Sequence, residues 1–133
     1  MNRRSKIVFT NGCFDILHPG HVRLLRFCKS LGTVIVGLNS DKSVKNIKGP
    51  NRPINSENDR KYMLKSLRWV DDVIVFDENT PIDLIQQIKP DFIIKGGDYR
   101  EPDVCSIPGA KVIIYEYQRG YSTTKIIESI SNR

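Results

Sequence analysis

Two histidines, His18 and His21, are the chain's only histidines, and both lie in the stretch Gly12-Cys13-Phe14-Asp15-Ile16-Leu17-His18-Pro19-Gly20-His21. The stretch joins an apolar run of β type to an amphipathic run of helical spacing. α/β proteins place phosphates at such junctions. A glycine turn lets backbone N–H groups approach an anion, and the helix that follows points its positive end at it. Two imidazoles there add donors that can follow charge as it builds on a reacting phosphate. In this reading the backbone N–H of Cys13 matters more than its sulfur. A zinc site is the rival, but two histidines need further ligands. Cys13 or Asp15 would have to supply them at unusual spacing, so no metal site is expected.

Three other segments carry groups suited to anions. Asn39–Asn55 is polar, holds Gly49, Pro50 and Pro53, and reads as a long loop. Such a loop in a small domain suits a mobile lid that brings a lysine to phosphates. Lys48, beside Gly49, is preferred for that role, with Lys45 as its competitor. Gly96-Gly97-Asp98 follows an apolar run. Asp98 there positions a nucleotide or an acceptor, or caps a turn. Ser122-Thr123-Thr124 opens the last helical run, where hydroxyls, free N–H groups and the helix dipole all favour an anion. An ordinary N-cap would look the same.

The elements that must position these groups alternate. Lys6–Thr10 and Thr33–Leu38 read as strands around a helix over Gly20–Leu31, which Gly32 ends. Ser56 caps a helix running to Leu67. Val73–Phe76 is a third strand. Thr80-Pro81 starts a helix with proline at its first position, closed by Pro90. Phe92–Lys95 and Lys111–Tyr115 are further strands, and Ser122–Ile130 is the last helix. The strands are short apolar runs without alternation, as in buried parallel sheets. The order predicts an open, doubly wound α/β sheet, with ligands at the carboxyl ends of its strands.

A chain of 133 residues with 39% hydrophobic residues suits one domain over residues 1–133. The net charge of +6 suits a polyanionic partner. The basic residues are scattered and do not interleave with aromatics, which favours a small phosphorylated ligand over nucleic acid. Three cysteines, Cys13, Cys28 and Cys105, form no CxxC pair and indicate no disulfide framework. No run is long and apolar enough for a membrane span, and no signal core opens the chain. A cytoplasmic location is expected.

The stretch ending His18-Pro19-Gly20-His21 resembles the signature of the HxGH nucleotidyltransferases, the cytidylyltransferase-like superfamily. Arg52-Pro53-Ile54-Asn55 to Arg60, Trp69-Val70-Asp71-Asp72-Val73, Lys95-Gly96-Gly97-Asp98-Tyr99 and Gly120-Tyr121-Ser122-Thr123-Thr124-Lys125-Ile126-Ile127 resemble its other blocks, in order. The resemblance spans Ile7 to Ile130. It implies a Rossmann-like, five-stranded parallel sheet of the HUP/nucleotidyltransferase type. It also implies transfer of a nucleotidyl group to a phosphorylated acceptor with release of pyrophosphate, with Mg²⁺ accompanying the triphosphate. His18 and His21 would stabilise the transferring phosphate. Gly12, Cys13, Phe14, Gly96, Asp98, Ser122, Thr123 and Thr124 would bind nucleotide, phosphates or acceptor. Lys48 or Lys45 would reach the phosphates, and Arg60 matches the family arginine of the following helix. GCFD, KGGDY and the STT-x-II ending are similar to the adenylyltransferase domain of ADP-heptose synthesis, which implies ATP and a heptose 1-phosphate-like acceptor. CTP-dependent transfer to glycerol 3-phosphate is the alternative, although Tyr117 stands where those cytidylyltransferases have arginine. A nucleotide-binding module without turnover is the rival from another class. A homodimer is implied by the small relatives, with Tyr62 and Trp69 as anchors or as core residues.

Overall fold

The computed structural model describes residues 5–97, 104–116 and 122–132. Five strands, β1 (Ile7–Gly12), β2 (Thr33–Asn39), β3 (Asp72–Phe76), β4 (Phe92–Gly96) and β5 (Lys111–Tyr115), form one sheet. Their order is β3-β2-β1-β4-β5, and every pairing is parallel. The helices are α1 (Pro19–Leu31), α2 (Asp41–Lys48), α3 (Glu57–Lys65), α4 (Ile82–Ile88) and α5 (Thr123–Ser131). The chain starts at the centre, winds outward to β3, then returns to the other side of β1. This is the doubly wound, Rossmann-like α/β fold that the sequence predicts.

The strands bury both faces, and successive residues sort onto opposite sides. Val8, Val34, Val36, Leu38 and Ile94 pack with Leu24, Leu25 and Cys28 of α1 and Leu64 of α3. Phe9, Ile93 and Phe76 pack with Leu84 and Ile85 of α4 on the other face. Each fully buried aliphatic or aromatic side chain contributes roughly 1.5–3 kcal/mol relative to exposure. Gly32 caps the end of α1, and only glycine fits there, since a Cβ would stand 2.2 Å from the Lys6 carbonyl oxygen.

One ladder is short. β1 pairs with β2 from Ile7↔Thr33 to Gly12↔Leu38, but with β4 only at Val8↔Phe92 and Phe9↔Ile93. β4 meanwhile stays paired with β5 as far as Gly96↔Tyr115. β1 and β4 therefore part towards their carboxyl ends, at the point where the winding reverses. Side chains satisfy the carbonyls released by the split. Thr10 Oγ1 donates to the Ile94 carbonyl at 2.8 Å, and Lys95 Nζ donates to the Asn11 carbonyl at 3.0 Å.

Two expectations are corrected. Asn39–Asn55 is not a continuous loop, because it contains the eight residues of α2. Ser40 caps that helix through Ser43 N–H, and Gly49, at φ 105°, closes it. The helix was hidden because Val44 and Ile47 are its only apolar side chains. Pro81 is the N-cap residue of α4, one position before the first turn.

Candidate active site

The turn after β1 is held in an unusual backbone. Phe14 and Ile16 have φ of 47° and 50°, which side chains other than glycine rarely adopt. Such strain persists only where surrounding contacts over-determine it. Asp15 supplies some of them. Its carboxylate accepts N–H bonds from Ile54 at 2.6 Å and Asn55 at 3.0 Å, and its carbonyl accepts from Thr123 Oγ1. Gly12 lies against the Phe14 ring, so a Cβ there would meet it at 3.1 Å.

Arg60 supplies the rest. It is 1% exposed. Its guanidinium donates to the carbonyls of Cys13 (2.8 Å), Asn39 (2.7 Å) and Asn55 (2.9 Å) and to the Asp41 carboxylate (2.8 Å). The fork fastens the turn, the end of β2, the start of α2 and the start of α3 to one point. These protein acceptors occupy it, which makes Arg60 a positioning residue. In this structure the family-matching arginine meets protein acceptors at each of these contacts.

His18 is the N-cap of α1. Its Nδ1 accepts from Gly20 N–H at 3.1 Å, and its own N–H donates to His21 Nδ1 at 3.2 Å. The pair thus forms a reciprocal capping box, with rings stacked at 3.8 Å and 26°. Phe14 lies 5.2 Å from the His21 ring. Burial lowers the His18 pKa. His21 is pushed down to about 3, by burial first and then by the charges of His18 and Lys48. Both rings are therefore neutral at pH 7. With each Nδ1 occupied as an acceptor, each neutral ring carries its proton on Nε2 as a donor.

A cleft of about 280 Å³ opens where β1 and β4 part. Its walls include Asn11 to Asp15 of the turn, His21, Lys48, Lys95, Gly96 and Thr123. Gly12, Cys13, Phe14, His21, Lys48, Gly96 and Thr123 are thus brought together. His18 stands beside the wall through its stack on His21. Lys45 is an exposed residue of α2 outside the wall, while Lys48, at the end of α2, reaches it. Ser122 caps α5 through Lys125 N–H, and Thr124 Oγ1 is within 3.3 Å of Arg52 Nη2. Thr123 is therefore the hydroxyl of the three that lines the cleft. Asp98 and Tyr117 lie outside the described residues. Among the described residues no cluster of three or more His, Cys, Asp or Glu is placed to hold a metal ion. No described helix is long and apolar enough to cross a membrane.

The cytidylyltransferase-like family model matches residues 9–129. The chain belongs to this family of enzymes. It is 55% identical over 129 residues to the bifunctional protein HldE of Helicobacter pylori strain P12, and 52% identical over 131 residues to HldE of Campylobacter jejuni serotype O:6. These matches cover 96% and 97% of the chain, which spans 28% of the length of either relative. Among solved structures, a lipopolysaccharide core biosynthesis protein from Thermoplasma volcanium superposes with a TM-score of 0.74 at 30% identity, covering 90% of this chain and all of that one. A pantoate-β-alanine ligase from Francisella tularensis, at 18% identity and a TM-score of 0.60 over 98% of this chain and 71% of that one, shares the fold. The chain thus carries a nucleotidyltransferase domain of the cytidylyltransferase-like type.

Within that family domain, three residues were missed as contributors. Asp15 had been weighed only as a metal ligand, yet it is 3% exposed and ties the turn to Ile54 and Asn55. Asn39 is buried at the end of β2, donates to Ser43 Oγ and lines the cleft. Lys95 lines the cleft from β4, and burial first, with Lys48 adding, pushes its pKa down to about 8. The signal for Lys95 was a lone lysine closing the apolar run Phe92-Ile93-Ile94, at the strand end where ligands collect.

Proposed function

We propose that this chain transfers an adenylyl group from ATP to a sugar 1-phosphate of the heptose 1-phosphate kind and releases pyrophosphate, in the synthesis of a bacterial surface-polysaccharide precursor. The observation that carries the reading is the union, in one cleft, of neutral His21, cationic Lys48 and the N-terminal ends of α1 and α5. These groups suit a triphosphate at the helix ends. An acceptor phosphate oxygen attacks the α-phosphorus, the bond from that phosphorus to the bridging oxygen breaks, and pyrophosphate leaves with the electron pair. The acceptor is already an anionic nucleophile, so positioning and charge stabilisation suffice and no covalent enzyme intermediate is needed. The imidazole Nε2–H groups donate to the phosphates as charge builds, and Lys48 offsets charge on the leaving group.

Mg²⁺ enters with the triphosphate as part of the substrate. The carboxylate among the described lining residues is Asp15, whose two oxygens accept from Ile54 and Asn55. The nucleotide's own oxygens are therefore the ligands that suit the ion. EDTA should abolish pyrophosphate release, and added Mg²⁺ should restore it.

The relatives named HldE and the lipopolysaccharide core biosynthesis protein support a sugar-phosphate acceptor. The family's description keeps CTP as the second reading, and glycerol 3-phosphate is the acceptor we pair with it. The deciding experiment measures pyrophosphate release with ATP and CTP, each against heptose 1-phosphate and glycerol 3-phosphate. ATP with the sugar phosphate should turn over fastest. Preference for CTP with glycerol 3-phosphate would overturn the substrate assignment, and binding without turnover in any pair would favour the non-catalytic module. We also propose a homodimer in the cytoplasm. Tyr62 on α3 is exposed and available to an interface, whereas Trp69 packs against the core beneath Arg68 and Arg26.

A further inference from the structure

We propose that Asn39 recognises the sugar of the acceptor, its side-chain oxygen Oδ1 accepting a hydrogen bond from one of the acceptor's hydroxyl groups. The ligand class rests on the sugar-phosphate reading of the cleft; the orientation of the amide does not. Asn39 ends β2 at the cleft and is 4% exposed. Its Nδ2 donates to Ser43 Oγ at 2.9 Å, and Ser43 Oγ donates to the Glu78 carbonyl at 2.8 Å. These two bonds fix which way the amide faces. A carbonyl only accepts, so the single Ser43 hydroxyl proton goes to Glu78, and Ser43 Oγ must accept from Asn39. Nδ2 therefore faces Ser43, and Oδ1 faces away from it. Among the described residues none donates to Oδ1, and none leaves a side-chain oxygen both unpaired and sealed from solvent. Oδ1 is thus the open edge of a side chain whose remainder is packed away, and the space that Asn39 borders is the cleft.

An amide oxygen so placed discriminates. It repels a phosphate oxyanion, which brings only lone pairs, and it accepts from a hydroxyl. Ser43, completely buried, keeps the amide from turning to offer its N–H groups instead. A ligand that covers Oδ1 without donating to it removes water and returns nothing, so a sugar lacking that hydroxyl is rejected. Two sugars enter the cleft, the ribose of the nucleotide and the acceptor, and both carry hydroxyls. The place of Asn39 favours the acceptor. β2 lies on one side of β1 and β4 on the other. Gly96 of β4 and Thr123 at the start of α5 line the side where a triphosphate meets a helix end. Beside Lys48 on the β2 side stand Asn39, Asn79 between β3 and α4, and half-exposed Ile47 of α2. These last three are neutral. Two amides next to an aliphatic side chain suit the hydroxyls and C–H edges of a polyol better than a phosphate.

The test is protein-observed NMR titration of wild type and Asn39→Leu, which reports affinity and fold together. The probes are heptose 1-phosphate, its monodeoxy derivatives and Mg-ATP, each added alone. Leucine keeps the branched shape and removes the acceptor. Asn39→Leu should therefore weaken heptose 1-phosphate by about tenfold, the size of one hydrogen bond whose partner is left stranded, and leave Mg-ATP unchanged. One monodeoxy derivative should bind wild type about tenfold more weakly than heptose 1-phosphate and lose nothing further in Asn39→Leu. That pattern pairs Oδ1 with one hydroxyl, and a merely structural role would not produce it. Unchanged affinity for heptose 1-phosphate in folded Asn39→Leu overturns the proposal, as does a loss shared equally with Mg-ATP, or a set of derivatives that all lose as much as the parent sugar. Loss confined to Mg-ATP moves the contact to the nucleotide and overturns the assignment to the acceptor. A wild type that does not bind heptose 1-phosphate at millimolar concentration overturns it too. Should Asn39→Leu lose its fold, Ser43→Ala decides. With the amide free to turn, it should weaken heptose 1-phosphate alone, by about threefold, and no change overturns the proposal. Asn39→Leu that releases pyrophosphate from ATP and heptose 1-phosphate with an unchanged KM for the sugar ends this assignment and leaves the transferase reading standing. Sugar binding that needs Asn39, in a wild type that releases no pyrophosphate, does the reverse.

Discussion

At the scale of single residues, the two histidines are different instruments. His21 lines the cleft, so His21→Ala should lower kcat by roughly a hundredfold, the usual cost of one transition-state donor. His18→Ala should cost turnover too, but it also removes the cap of α1, worth about 1 kcal/mol. Thermal unfolding beside steady-state rates separates the two, since His18→Ala should lose more stability than His21→Ala. Near-normal turnover in His21→Ala would remove its role. Because His21 titrates near 3, kcat/KM of the free enzyme should show no inflection from it around pH 6.5. Lys48→Ala should slow turnover at least tenfold, while Lys45→Ala, outside the cleft wall, should stay within twofold of wild type. The reverse ranking in side-by-side assays would move the role to Lys45. Sequence named His18, His21 and Lys48 because their chemistry is printed in their types and neighbours. The buried contacts of Arg60 were not legible, since nothing local distinguishes a guanidinium that meets a ligand from one that meets three carbonyls.

At the scale of elements, the site depends on what fastens α2 and α3 to the turn. Arg60 bonds to four residues from three segments, so Arg60→Ala strands buried carbonyls and the Asp41 carboxylate. It should destabilise the protein by about 3 kcal/mol or more, read from urea unfolding. Arg60→Lys keeps the charge but lacks the fork, and should recover less than half of that loss. Full recovery by lysine would show that charge, not hydrogen-bond geometry, matters there. The strands and the other four helices were legible because short apolar runs, capping serines, the proline before α4 and Gly32 announce them. α2 was not, for a helix of eight mostly polar residues takes its stability from Ser40 and Val44 against the domain rather than from periodicity. Its signal was present in Ser40-Asp41 at one end and Gly49 at the other. The split between β1 and β4 has no sequence signature, because it depends on where the neighbouring ladders hold. Lys95 could not be placed in the site until that split was seen.

At the scale of the whole molecule, partners and solvent act on stability as much as single contacts do. If the chain pairs through α3, Tyr62→Glu should shift its sedimentation from dimer to monomer at micromolar concentration without altering the fold. A monomeric wild type would remove the dimer altogether. Protons act from both sides of neutrality. His21 binds its proton near 6.5 when unfolded but near 3 when folded, so the unfolded state binds more protons between those values. Stability from this site is whole above pH 6.5 and is lost as pH falls towards 3. Lys95 has the same sign in an alkaline window. Its folded value near 8 lies below the ordinary 10.5, so the unfolded chain holds more protons between pH 8 and 10.5 and stability rises with pH there. Below pH 8 the buried ammonium is a standing cost. Lys95→Met, similar in volume and uncharged, should therefore match or exceed wild-type stability at pH 7 in urea unfolding. The alkaline gain should vanish in that variant. A methionine variant clearly less stable than wild type at pH 7 would mean that the contacts of the ammonium group, the bond to Asn11 among them, outweigh the cost of burying the charge.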